Sequence, residues 1–153
     1  MRRYLVAAAL VALAVPALAS AKGPAAASLS GPGLEGALTF RGDGEGPGTA
    51  LGNLAMSSGF FAQMFGQTPD PTFAARPTGS LGPRYKVVYT VPGPNGMQSR
   101  VVQLVYPYAK AGAVTYMKPG QPFWDTERAH GGWFRASARL KRMLVRAGLP
   151  ATA

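Results

Sequence analysis

The chain has no cysteine, no isoleucine and a single histidine, His130. Each absence removes a class of chemistry. Without cysteine there is no disulfide framework, no thiolate nucleophile and no thiol to carry a lipid anchor. With one histidine and no thiolate, a zinc site of the usual nitrogen and sulfur donors cannot be completed. Without isoleucine, the core has to be built from valine, leucine and aromatic rings. Carboxylates are scarce as well. Six Asp and Glu stand against 16 Lys and Arg, a formal net charge of +10.

That charge is unevenly placed. Residues 22–75 carry 2 basic and 4 acidic side chains, whereas residues 76–153 carry 12 basic and 2 acidic. A basic half attracts anionic polymers and lipid head groups. The plainer alternative is a solvated, arginine-rich surface. Glycine and proline together supply 34 of the 153 residues, close to a loop-rich composition. The 14 aromatic residues beyond position 21 argue against disorder.

The N-terminus has the three-part layout of a secretory signal peptide. Met1-Arg2-Arg3 is a positive n-region, Tyr4 to Val15 is apolar, and Pro16 breaks the run. Small residues follow at Ala17, Ala19 and Ala21, so cleavage is expected after Ala21, with Ala19 as the alternative. The apolar stretch is short of the ~20 residues that span a bilayer. Arg2-Arg3 also fits a loose twin-arginine pattern. The expectation is a cleavable signal peptide over 1–21, a flexible tail over 22–28, and one domain over 29–153.

The fold expectation is α+β: an antiparallel β-meander with short helices packed on one face and an amphipathic C-terminal helix. Residues 37–41 alternate and suit a short strand. Residues 42–48 hold four glycines and a proline and read as a loop. Thr49 is placed to cap a helix from Ala50, which Ser57, Ser58 and Gly59 weaken. A second short turn holds Phe60, Phe61, Met64 and Phe65 and stops at Gly66. Four prolines make residues 67–83 a loop. Residues 85–91 place Tyr85, Val87, Tyr89 and Val91 on one face of a strand. A turn at 92–96 ends in Asn95-Gly96, a strong hairpin signal. Residues 98–106 return with Val102, Leu104 and Tyr106 on one face, and 113–117 form a third strand. Phe123-Trp124 and Gly132-Trp133-Phe134 flank a loop. Ser137 caps a final helix over 138–147, with Leu140, Met143, Leu144 and Ala147 as its apolar stripe and Gly148 and Pro150 as its stop.

Chemistry-bearing clusters are few. Asp125, Glu127 and His130 lie within six residues and are the weak candidates for acid–base work or metal binding. Their alternative is a solvated loop in which Arg128 or Arg135 pairs with a carboxylate. No serine sits in a Gly-x-Ser-x-Gly elbow. The glycine loop lacks a following Lys-Ser or Lys-Thr, and Asp43 and Glu45 would repel phosphate while offering too few ligands for calcium. Arg41-Gly42-Asp43 spells an adhesion tripeptide, which chance explains. No cofactor, no metal and no nucleic-acid partner is expected.

Binding is the stronger expectation. Its candidate residues are Arg135, Arg139, Lys141, Arg142 and Arg146 for charge, with Trp124 and Trp133 as exposed aromatics. Arg84, Lys86, Arg100, Lys110 and Arg128 add to the basic surface. Tyr106, Tyr108 and Tyr116 offer further rings, either for stacking on a ligand or for the core. The Phe60–Phe65 cluster is either a lid on the sheet or a docking patch for a protein partner.

The segments Phe65-Gly66-Gln67-Thr68-Pro69-Asp70-Pro71, Tyr106-Pro107-Tyr108-Ala109, Gly120-Gln121-Pro122 and Gly131-Gly132-Trp133-Phe134 give the chain a resemblance. It resembles small, uncharacterised exported proteins of high-GC Gram-positive bacteria. The resemblance covers most of the chain beyond residue 21. It implies export and a bacterial envelope setting, and it transfers no activity and no site residue. The reading is therefore a secreted or extracytoplasmic, envelope-associated domain without enzymatic activity, whose partner is an anionic wall polymer, lipid head groups or an envelope protein. The alternatives are an exported enzyme using His130 with Asp125 or Glu127, and a structural or inhibitory domain docking through Phe60–Phe65.

Overall fold

The computed structural model describes residues 23–153. The expected signal peptide over 1–21 and Lys22 lie outside the described residues. Nine strands and three α-helices follow in the chain order β1 (Ala26–Ser30), β2 (Leu38–Phe40), α1 (Ala50–Ser58), α2 (Phe60–Phe65), β3 (Thr72–Phe73), β4 (Tyr85–Pro92), β5 (Gln98–Tyr106), β6 (Val114–Met117), β7 (Pro122–Phe123), β8 (Glu127–Arg128), β9 (Gly132–Arg135) and α3 (Ala138–Ala147). Seven of the strands form one antiparallel sheet in the order β2-β1-β4-β5-β6-β9-β3, and β7 pairs with β8 in a separate small hairpin. The fold is α+β, with the helices packed against the sheet.

The centre of the sheet is the β4–β5 hairpin. Its register runs from Tyr85 opposite Val105 to Pro92 opposite Gln98. The turn works because Asn95 and Gly96 both take positive φ, 56° and 76°, the handedness a tight hairpin needs. Along β4, Tyr85, Val87, Tyr89 and Val91 are buried. On β5 the buried set is Val101, Gln103 and Val105, so Val102, Leu104 and Tyr106 fall on the opposite face and are only half-buried.

The expected flexible tail over 22–28 does not hold over 23–28. Gly23 and Pro24 are buried, and Ala26–Ser30 is a full strand between β2 and β4, with Ala27 and Leu29 in the core. Alanine and serine carry little strand propensity, and cross-strand pairing to β4 overrides it. β3 is likewise a strand within the stretch expected as a loop, and β9 is a strand at the segment expected only to flank one. β9 joins the sheet by pairing Tyr116 with Trp133, and β3 by pairing Phe73 with Trp133.

The helices cover one face. Thr49 Oγ1 accepts the Gly52 N–H at 3.0 Å and starts α1. Gly59 ends α1 in the left-handed region at φ 75° and begins α2. A Cβ at Gly59 would overlap the Phe134 ring, so glycine is required both by conformation and by packing. Leu51, Leu54, Phe60 and Met64 from these helices, and Leu140 and Leu144 from α3, are fully buried against the sheet. Each such burial stabilises by about 1.5–3 kcal/mol. In α3, Ala147 is exposed, and Leu149 beyond the helix stop fills the core instead. Ser137 occupies the N-cap position of α3, but its side chain makes no capping bond.

Candidate anion-binding surface

Five polar side chains lie in the core between helices and sheet: Ser57, Ser58, Gln63, Gln103 and Thr115. Four of them, with Tyr89, form one hydrogen-bonded chain. The Ser58 hydroxyl meets the Tyr89 hydroxyl at 3.1 Å, and Tyr89 donates to Gln103 Oε1 at 3.1 Å. Gln103 Nε2 donates to Gln63 Oε1 at 2.5 Å and to the Ser58 carbonyl at 3.0 Å. Thr115 donates to the same carbonyl at 2.7 Å, and Gln63 Nε2 donates to the Gly132 carbonyl at 2.8 Å. Among the described residues no buried side-chain polar atom is left without a partner. Burial raises the Tyr89 pKa, with the Ser58 bond opposing the shift. The chain is closed to ligands, and its role is to pin the α1–α2 junction onto the sheet.

His130 finds a carboxylate far away in sequence. Its Nε2 lies 2.8 Å from Asp70 Oδ2, the only ion pair among the described residues. Asp125 and Glu127 make no side-chain hydrogen bond or ion pair to it. Thr72 Oγ1 approaches the same Nε2 at 3.2 Å while donating to Asp70 Oδ1 at 2.8 Å. The Thr72 backbone N–H also donates to that oxygen at 2.8 Å. The Thr72 N–H and hydroxyl, and then His130, hold the Asp70 carboxyl below its ordinary value of 3.8. A proton relay needs hydroxyl and carboxylate on opposite ring nitrogens. Here both crowd Nε2, and the hydroxyl proton already belongs to the carboxylate. The cluster ties the β3 entry to the chain before β9 and provides no activated nucleophile. Among the described residues no group of three or more His, Asp or Glu could hold a metal ion.

The candidate basic residues of the C-terminal region separate into two environments. Lys141 lies over the Tyr108 ring, 4.8 Å from its centroid, and Arg135 lies over Phe73 at 5.5 Å. Tyr108 itself is fixed by donation to the Pro150 carbonyl, and burial with the neighbouring Tyr85 pushes its pKa up to about 12. Arg139, Arg142 and Arg146 have no ion-pair partner among the described residues. They recur along α3 at spacings of three and four, which puts them on one stripe. With Asn53 of α1 and the Met143 side chain they line a cleft of about 340 Å³. Three guanidinium groups and an amide, with no carboxylate in the lining, present the donors that phosphate or carboxylate groups pair with. Asn53 was not legible in the sequence as a site residue, because only the packing of α1 against α3 brings it there.

Neither tryptophan offers a free ring. Trp133 is 7% exposed and packs with Leu81, Ala109 and Val114. Trp124 is half-buried between Phe65 and Phe123, donates its indole N–H to the Pro92 carbonyl at 3.0 Å, and donates its backbone N–H to Ser99 Oγ at 2.8 Å. These contacts hold Trp124 at φ 49°, an uncommon backbone for a bulky residue. Within the aromatic cluster of α2, Phe60 and Met64 are buried, and Phe61 and Phe65 are half-buried. The exposed apolar residue beside them is Met56 on α1, at 51%.

No protein-family model, curated protein or solved structure matches the chain.

Proposed function

We propose that the chain is an exported, non-enzymatic domain of the cell envelope that binds an anionic wall polymer through its basic surface. The observation that carries this reading is the cleft of Arg139, Arg142 and Arg146 with Asn53. Three unpaired cations on one side of a helix repel one another and are held in register by the packing of Leu140 and Leu144 beneath them. An anion relieves that repulsion, and a polymer with repeated charges engages all three at once. The setting in the envelope follows from the expected signal peptide.

The test is retention of the purified protein on a poly(glycerol phosphate) wall polymer at low and high salt. Contacts of this kind weaken as salt screens them over about 10 Å at 0.1 M. Retention at low salt, loss at high salt, and loss in Arg139→Glu/Arg142→Glu are expected. Salt-independent retention, or none at any salt, removes the proposal.

A second reading, docking of a protein partner, rests on a different surface. Met56, Phe61 and Phe134 line a shallow cleft of about 190 Å³ on the helical side. It predicts that Met56→Asp abolishes capture of an envelope protein while leaving polymer retention intact.

A further inference from the structure

The sheet has a second face, and it is built differently from the first. None of the six carboxylates of the chain lies on a strand of the seven-stranded sheet. The loop through Leu81 seals one half of this face over Val114 and Trp133. The other half is uncovered and holds two adjoining depressions. The first, of about 130 Å³, is lined by the hydroxyls of Ser28, Thr39 and Thr90 and by Arg41 and Arg100. The second, of about 200 Å³, is lined by Val102, Leu104, Tyr116 and Lys118, with Gln121 at its rim. Val88, in the first depression, pairs directly with Val102 in the second, so the two form one track. The track crosses from β2 to β6 in four interstrand steps of about 4.8 Å, about 19 Å in all.

We propose that this track is a second binding site, independent of the α3 cleft, and that it takes an acidic polysaccharide of uronic acid units. Its chemistry is complementary to such a chain in three ways. Arg41, Arg100 and Lys118 meet carboxylates, the guanidinium groups in two-point fashion. The row of three hydroxyls matches the hydroxyls of a sugar ring. Tyr116 and its aliphatic neighbours supply a flat apolar surface for a ring's C–H face. Gln121 is not free to bind, because its amide already bonds both the N–H and the carbonyl of Val102, at 2.9 and 2.8 Å. That pairing fixes the rim of the second depression.

Two other occupants of a basic, apolar face fit less well. Single-stranded nucleic acid uses several free aromatic rings in succession, and on the uncovered half the one ring is Tyr116, half-buried and packed against Trp133 at 4.8 Å. A bilayer needs apolar side chains that project, whereas Val102, Leu104 and Tyr116 are all recessed, and the exposed large hydrophobic side chain, Met56, lies on the helical side.

The test uses protein purified from cells expressing the full chain, with polygalacturonate as the probe. Neutral dextran, a single-stranded oligonucleotide and phosphatidylglycerol vesicles serve as competitors. Arg100→Glu and Lys118→Glu alter exposed positions and leave the thermal midpoint unchanged. Each is expected to weaken polygalacturonate binding at least tenfold, and Tyr116→Ala at least fivefold. Arg139→Glu/Arg142→Glu changes it less than threefold, which separates this site from the α3 cleft. The proposal is overturned if polygalacturonate is not bound, if dextran competes equally, if the oligonucleotide or the vesicles bind more tightly, or if Arg100→Glu has no effect.

Discussion

One sheet presents two faces that solve opposite problems. The helix-covered face buries Tyr89, Gln103 and Thr115, and among the described residues every buried side-chain polar atom finds a partner within the protein. The other face, with the α3 stripe at the edge of the helical layer, carries cations that the protein leaves unpaired. The contrast teaches where this molecule spends its polar groups. Those inside are matched to each other and fix the fold. Outside, where basic side chains outnumber acidic ones 16 to 6 over the whole chain, Arg139, Arg142 and Arg146 have no ion-pair partner among the described residues, and the proposed function gives them an external one.

The largest effect should come from breaking the closed face. Gln103→Leu removes the acceptor of the Tyr89 hydroxyl and the 2.5 Å donor to Gln63 Oε1 in the buried core. It is expected to cost about 3 kcal/mol, read from chemical denaturation. Val102→Gln, one residue away and on the open face, should change stability by about 1 kcal/mol or less. Equal costs at the two positions would mean that the faces are not distinct. Next is Gly59→Ala, which forces a side chain into φ 75° against Phe134 and is expected to cost about 2 kcal/mol. In Gly59→Ala the α1–α2 junction, and not the basic surface, should lose hydrogen-exchange protection.

The strongly periodic parts of this architecture were legible in the sequence. The expected strands at 85–91 and 98–106 match β4 and β5 within a residue, and the expected helix at 138–147 matches α3. Alternation, Asn95-Gly96 and the Leu140–Leu144 spacing are local signals, and local signals suffice there. β1 was not legible, since a run of alanine and serine has no apolar contrast and becomes a strand only when β4 pairs with it. The choice of inner face on β5 was also hidden. Val102, Leu104 and Tyr106 are more apolar than Val101, Gln103 and Val105, yet the latter set is buried because Gln103 completes the polar chain with Gln63 and Tyr89. At the candidate site, Arg139, Arg142 and Arg146 were readable as a helical stripe. Asn53, and the pairing of His130 with Asp70 across 60 positions, arise only in three dimensions.

Smaller effects sharpen the comparison from its edges. Tyr89 and Tyr108 have pKa values raised by burial, so the fold favours their protonated forms. Their contribution is fully present below the ordinary value of 10 and is lost as pH rises through the raised value, about 12 for Tyr108. The denaturation midpoint should therefore hold up to about pH 10 and fall between pH 10 and pH 12, and Tyr108→Phe should flatten part of that fall. Asp70 acts in the other direction. Its lowered pKa favours the carboxylate in the fold, so its contribution is present above 3.8 and disappears as pH drops below that value. Asp70→Asn should remove a small part of the acid sensitivity, measured as the midpoint at pH 3 against pH 6.

The most direct measurement is retention of the wild-type protein and of Arg139→Glu/Arg142→Glu on poly(glycerol phosphate) across a salt series, with thermal midpoints recorded for both. The account predicts wild-type retention that falls steeply with salt, and at least a tenfold loss in the double variant at low salt with an unchanged midpoint. Equal retention of the two proteins, or wild-type retention indifferent to salt, would contradict it.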